Sequence, residues 1–402
     1  MGSHDVYTSR DSPSELIFSF WQNPIAYLIM SSWLIARAIE KTGLGKRIAL
    51  YVLAPFLKSY RMLLTAIYGL GIMMSLFIPH PFARAFIIIA VVKSLFEHIS
   101  VSGKDKASIG IAVFLSSSIS SFVFLTADSA LNITLLELMS MDMTWGEWFT
   151  IMGIPSILFH ILVIITHLVV FPTSENWKNN KIDLQTLKGK MGGLNTAELV
   201  SIVWLSIGIL LWTTDFIHGI HPGWVATGIV ILMTIPGKPQ VLSSGDLNAI
   251  KIDILLFISA MLAIGKVSQT TGLSEFLANK LLSFIPDSHT IVIALSLTLF
   301  GIILHLITGS AFSMVSILVP IVLSFMEQTS VLPIIGAMII YLAAKAQWFF
   351  PHQVMDILIG TGKETGGYTQ KEVIRLGTAM IIPLILGVIG IYLPWWTLTL
   401  GN

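Results

Sequence analysis

The sequence predicts an all-α polytopic membrane protein built from inverted repeats, with two re-entrant helical hairpins and two broken transmembrane helices. Three observations lead there. Of 402 residues, 54% are hydrophobic and only 11% are charged, against roughly 25% charged in soluble domains. The 31 Gly and 16 Pro interrupt apolar stretches that lack alternating polarity, which selects helices over a transmembrane barrel. The stretches also recur in one order in the two halves of the chain. Soluble enzyme classes are thereby excluded. A net charge of +1 leaves no basic stripe for nucleic acid, and the absence of Cys removes disulfides, thiolate metal sites and cysteine nucleophiles.

Residues 1–14 are polar without a signal-peptide layout, and the opening MGSH reads as a cloning scar, so they stand outside the fold. Stretches able to cross ~30 Å of hydrocarbon run over 15–38, 106–140, 145–171, 197–214, 221–236, 250–270, 331–361 and 372–398, which gives eight crossings. Two further stretches read as hairpins: 60–96, broken at Pro79-His80-Pro81, and 289–326, broken at Thr308-Gly309-Ser310. Span 106–140 is itself broken at Thr126-Ala127-Asp128, and 331–361 at Pro351-His352-Gln353. Segments 45–58 and 274–286 are too short to span and predict helices lying along the interface. Trp145, Trp148, Trp395 and Trp396, near span ends, read as interfacial anchors.

If 15–38 runs inward, sixteen Lys and Arg fall in cytoplasmic loops, several of them in the linker 172–196. The outer loops hold only Arg10 and Lys280. That asymmetry sets the orientation, with both termini outside.

An offset of 229 superimposes Thr42-Gly43-Leu44 on Thr271-Gly272-Leu273, Arg37 on Lys266 and one hairpin break on the other. A slip to 225 superimposes Thr126-Ala127-Asp128 on Pro351-His352-Gln353, and Thr144 on Thr369. The repeats cover 15–171 and 197–398; the equivalent spans 15–38 and 250–270 are the first and sixth crossings, an odd displacement that makes the copies inverted, a plan of secondary transporters.

The runs WLIARAIEKTGLGKRIA (33–49), AIGKVSQTTGLSEFLAN (263–279) and FLTADSALN (124–132) resemble the divalent anion:sodium symporter family, carriers of dicarboxylates, citrate and sulfate. The resemblance implies a scaffold and a transport domain, a homodimer, an elevator mechanism, and a substrate site between two hairpin tips and two unwound helices. It implies a multi-pass protein of the plasma (inner) membrane, with sodium or a proton as coupling ion and no other cofactor. The family's Ser-Asn-Thr tips are replaced here by Pro79-His80-Pro81 and Thr308-Gly309-Ser310, which puts sodium sites in question. Spans 197–214 and 221–236 precede 250–270 and nothing comparable precedes its counterpart 15–38, as though about three N-terminal scaffold helices were missing.

Within apolar stretches each charge needs a partner or a water-filled cavity. Arg37, Lys266 and Lys93 sit near span ends, where long side chains reach the interface. Arg84 lies three residues after Pro81, near the midplane. Its planar fork suits a carboxylate or sulfate, and a structural pairing is the competing reading. His80 at the same tip is a hydrogen-bond donor able to titrate, or a plain turn residue. Asp128 and Lys345 flank the two breaks, as a buried ion pair or as a cation or proton site. Thr126, Thr308, Ser310, His352 and Gln353 complete the candidate substrate contacts. Ser117, Ser118, Ser120 and Ser121 read mainly as backbone-satisfying groups. His305, His352 and Asp356 lack metal-ligand spacing.

The chain thus reads as a secondary carrier of small dianions. The alternatives are a related carrier for another ion, or a non-transporting membrane enzyme or assembly subunit on the same fold. On the predicted orientation, a Lys181→Cys variant should resist impermeant thiol reagents applied to intact cells, and Lys280→Cys should be labelled. The reverse pattern refutes the topology.

Overall fold

In a computed structural model, the described residues are 13–99, 101–173, 192–235, 239–285, 289–363 and 365–401. Most of the N-terminal segment and residues 174–191 of the linker lie outside them, as do Arg10, Lys178, Lys181, Lys188, Lys190 and Lys238 of the charge pattern. Among the described residues every regular element is helical, apart from one β-bridge between Thr361 and Tyr368.

Among the described residues six helices are long and apolar enough to cross a membrane: Tyr60–Phe77, Trp145–Val170, Thr196–Thr213, Ile252–Thr270, Thr290–Thr308 and Gln370–Leu400. Pro222–Thr234, Ala311–Met326 and Pro333–Ala346 are shorter apolar helices. The expected span 15–38 is divided into Pro13–Gln22 and Pro24–Thr42. Asn23 accepts the Ile25 N–H at 3.1 Å and Pro24 takes the first helical position, a pairing that starts a new helix at that point. Pro13–Gln22 then packs along Ile252–Thr270, and Pro24–Thr42 along Pro222–Thr234.

One order of elements occurs twice. Pro24–Thr42 ends at Gly43, with φ +83°, and Leu44–Leu53 begins at once; Ile252–Thr270 leads through Gly272, with φ +75°, into Leu273–Leu281. The left-handed conformation is cheap only for glycine, and it lets one helix turn straight into the next. Two helix pairs follow, Tyr60–Phe77 with Pro81–Phe96 and Thr290–Thr308 with Ala311–Met326. Next come the broken helices, Gly103–Ile119 to Ser129–Leu138 and Pro333–Ala346 to Met355–Ile359. Each half closes with a long helix opened by a capping box, Thr144 with Glu147 or Thr369 with Glu372, and loosened by a π turn at Phe149–Gly153 or Val388–Tyr392.

The tryptophans depart from the interfacial expectation. Trp148 and Trp396 are fully buried, donating to the Phe122 carbonyl at 3.1 Å and the Ile151 carbonyl at 3.0 Å. Trp145 is buried as well, and only Trp395 is half-buried. An indole whose N–H finds a carbonyl can be packed inside, so Trp148 binds the first closing helix to the first break and Trp396 binds the second closing helix to the first. Arg37 and Lys266 are paired rather than simply extended to the interface. Arg37 meets Glu40 at 3.1 Å and Asp246 at 3.2 Å, and Lys266 meets Glu137 at 3.3 Å. Asp246, in the loop before Ile252–Thr270, also accepts from Lys41 at 2.6 Å. Burial disfavours its charged form, but the hydrogen bonds from Lys41, Ser243 and Arg37 hold the carboxyl well below the usual carboxylate range.

Helix Gly103–Ile119 touches the loop after Met355–Ile359 so closely that a Cβ on Gly110 would collide with the Gly366 carbonyl oxygen. Gly110→Ala is therefore expected to cost ~1–3 kcal/mol, the usual range for overpacking. Gly69→Ala, with open space at its Cβ, should melt like the parent in detergent. Equal melting temperatures for the two variants would contradict this packing.

Candidate functional site

The site is assembled where four helices stop. At the first tip, His80 is extended and Pro81 starts the next helix without needing a hydrogen-bond acceptor. At the second, Gly309 turns the chain with φ +61° and Ser310 caps Ala311–Met326. Unwound backbone at membrane depth must be satisfied locally, and at both breaks side chains do this. Asn132 Nδ2 donates to the carbonyls of Ser121 (2.9 Å), Phe124 (3.1 Å) and Leu125 (3.1 Å), and Tyr341 OH donates to Asn132 Oδ1. Gln353 Oε1 accepts from the Phe349 and Phe350 N–H groups at 2.7 and 2.8 Å. The His305 ring faces the carbonyls of Gln347 and Gln353 at 3.1 and 3.3 Å.

Both tips and both breaks converge on one cavity of about 180 Å³. His80, Pro81, Phe82, Gly309 and Ser310 line it from the tips, and Asp128, Lys345, His352, Gln353 and Asp356 from the breaks. Trp33 and Ile254 close it from the helices before each hairpin. A larger open depression of about 960 Å³ adjoins it through Trp33, His80 and Phe82, with Arg37, Lys46 and Lys251 among the charges at its walls. Lys345 forms an ion pair with Asp128 and lies 3.7 Å from Asp356; all three side chains are almost fully buried.

The other sequence-derived candidates stand outside the cavity wall. Arg84 is fully buried behind the first tip. Its Nη1 donates to the carbonyls of Ile78 (2.7 Å) and Ala127 (2.6 Å), and its Nη2 to the Ser117 carbonyl (2.7 Å) and Ser121 Oγ (3.0 Å). The planar fork read as an anion clamp thus ties the first tip to the first break. Thr126 is buried and accepts from the Trp145 indole at 3.3 Å. Thr308 Oγ1 is buried near the second tip without a partner, as are both amide atoms of Gln347 and Gln353 Nε2. Ser117, Ser120 and Ser121 bond back to carbonyls of their own helix.

Sequence reasoning missed Trp33, Phe82 and Gln347, and considered Asp356 only as a metal ligand. Asp356 follows Gln353 by three residues across the extended Val354, in the first turn of Met355–Ile359, a proximity in sequence that places it beside a residue already suspected. Trp33 carries no such signal: it reaches the site only because its helix packs against the tip, where its ring meets His80 at 6.1 Å.

Residues 10–401 match the family model described as "Sodium:sulfate symporter transmembrane region". Among curated proteins, the L-tartrate/succinate antiporter of Escherichia coli (strain K12) is 23% identical over 333 residues, covering 76% of this chain and 65% of that protein. A candidate malate transporter, YflS, of Bacillus subtilis (strain 168) is 26% identical over 289 residues, covering 67% of this chain and 59% of its own length. The uncharacterized transporter C3B8.04c of Schizosaccharomyces pombe is 24% identical over 310 residues, 75% of this chain and 34% of that protein. The chain therefore spans less than two thirds of the length of these relatives.

Removing the guanidinium takes the side-chain donor from the Ile78 and Ala127 carbonyls, while the Ser117 carbonyl keeps the Ser120 and Ser121 hydroxyls, and each orphaned buried acceptor costs about 1–3 kcal/mol. Arg84→Ala should accordingly lose at least ~2 kcal/mol of stability, and Arg84→Lys should recover only part of it, because a point charge cannot serve four acceptors. Thermal melting in detergent measures this. Unchanged melting with anion binding abolished would instead put Arg84 on the ligand.

Proposed function

The chain belongs to the sodium:sulfate symporter transmembrane family, and from that premise we propose that it is a secondary carrier of small divalent anions of the dicarboxylate type. The observation that carries this reading is the convergence of both tips and both breaks on one small cavity holding a buried ammonium. At about 180 Å³ the space is below the range of drug-sized sites, which suits a short dicarboxylate or sulfate. Lys345 would meet one carboxylate, with Ser310, His80, His352 and Gln353 as polar contacts around it. The unpartnered amide of Gln347 and hydroxyl of Thr308 offer further hydrogen bonds if the second tip shifts.

Alternating access would be elevator-like, in a homodimer of an inner membrane. The glycine joints at Gly43 and Gly272 support that, since they connect the helices before each hairpin to the short helices that precede the tips. Coupling would be to a proton or to a counter-transported anion. Asparagine is absent from both tips, and the fixed cation Lys345 stands at the second break. The relatives described as transporters weigh against the non-transporting alternatives.

The test is uptake of labelled succinate, citrate and sulfate into proteoliposomes under a sodium gradient, a pH gradient, or with unlabelled anion inside. Uptake of at least one dianion, supported by internal anion or by protons and persisting without sodium, is expected. Strict sodium dependence would remove the coupling assignment. Failure under every condition would remove the carrier assignment.

A further inference from the structure

Resting on that reading, the charges around the cavity identify the residue that moves the proton. Its wall carries two carboxylates, Asp128 and Asp356, and one ammonium, Lys345. Arg84 supplies a second positive charge from behind the first tip. These four groups sum to zero. A dianion added to them would leave two uncompensated negative charges in a medium of low dielectric, which is costly, and a buried group that takes up one proton halves that excess.

The two carboxylates are held differently. Asp128 is in direct contact with Lys345, and its Oδ1 accepts the Leu131 N–H at 3.4 Å as the cap of Ser129–Leu138. Asp356 lies 3.7 Å from the same ammonium, beyond hydrogen-bond length, and on the cavity wall. We infer that Asp356 is the proton-carrying carboxyl of the transport cycle: it takes a proton from water when a substrate carboxylate replaces it beside Lys345, and returns it on release. No covalent bond changes; one proton binds an Asp356 oxygen, and the Nζ of Lys345 passes from Asp356 to the substrate.

The groups facing Asp356 permit this. Lys345 and Asp128 approach from one side, Arg84 from Pro81–Phe96, and His352 from the turn before it, with His80 across the cavity. Tyr368 stands nearby, its hydroxyl donating to the Ile357 carbonyl at 2.8 Å. The charged residues of the remaining neighbouring helix, Lys104, Asp105 and Lys106, are at its opposite end, as is Lys93 on Pro81–Phe96. Among the described residues, Lys345 alone lies within ion-pairing distance of Asp356.

The test uses the full chain in proteoliposomes, with labelled succinate as probe, for the parent, Asp356→Asn and Asp356→Glu. One arm measures exchange against internal succinate at equal pH. The other measures accumulation driven by an inward proton gradient with no anion inside, where one pH unit can support about tenfold concentration per coupled proton. The parent is expected to do both. Asp356→Asn, a carboxyl fixed in its neutral shape, should lower gradient-driven accumulation by a much larger factor than it lowers exchange, while Asp356→Glu should retain accumulation with a displaced pH profile. Accumulation by Asp356→Asn equal to the parent overturns the inference, as does a loss of exchange as large as the loss of accumulation, which marks a structural role. A parent that exchanges succinate but ignores the proton gradient overturns it too and leaves the carrier reading intact, whereas a parent inactive in both arms removes both.

Discussion

Everything around the cavity depends on keeping one ammonium charged in the middle of an apolar bundle. Lys345 lies in the last turn of Pro333–Ala346, where the helix end carries partial negative charge. Asp128 caps Ser129–Leu138 and Asp356 lies in the first turn of Met355–Ile359, ends of opposite polarity. Each charge therefore occupies the helix terminus that favours it, and interrupted helices are what create termini at this depth. A buried ion cluster of this kind contributes little net stability against an apolar replacement; what it supplies is a defined geometry, since removing one partner strands the others.

The exposed backbone that comes with interruption has to be satisfied, and the two halves meet that demand with different residues. In the first, Asn132 gathers three carbonyls of the break and Arg84 gathers two more together with the tip. In the second, Gln353 holds two N–H groups and His305 faces two carbonyls. Tyr341 and Lys345, both on Pro333–Ala346, then reach across to Asn132 and Asp128. The repeated element order thus conceals a chemical asymmetry: backbone is satisfied by an amide and a guanidinium in one half, and by an amide and an imidazole in the other.

This explains which features could be read from the sequence. Helix order, the glycine joints, the tip breaks and the Asp128 with Lys345 pairing rest on local signals: hydropathy, Gly and Pro placement, and charges where hydrocarbon forbids isolated ones. The division at Asn23 was hidden because Pro24 reads as an ordinary residue in an apolar run until its neighbour caps the helix. Arg84 was visible as a charge needing a partner. Its partners were not, because they are mostly main-chain carbonyls, present at every position and exposed only where the helix unwinds. Trp148 and Trp396 were misplaced for the same reason, each finding a carbonyl in the interior.

These cross-links also limit how the site can change. Arg84 joins the first tip to the first break, His305 joins the helix before the second tip to the second break, and Lys345 with Tyr341 joins the breaks. Displacing one of these segments alone would strand buried polar groups, at about 1–3 kcal/mol for each, so an excursion of the cavity has to carry all four together. Compliance is cheaper at its margins. Gly43 and Gly272 already adopt the conformation that joins helices at an angle, and Trp33 and Ile254 touch the cavity from the helices on the near side of those joints. The seam between Trp33 and His80 is a contact of rings at 6.1 Å without a hydrogen bond between them in the described structure. At that seam the packing is dispersion between rings, whereas at the far end of Ser129–Leu138 the same surrounding helices are tied down by charge, through Lys266 and Asn23 on Glu137.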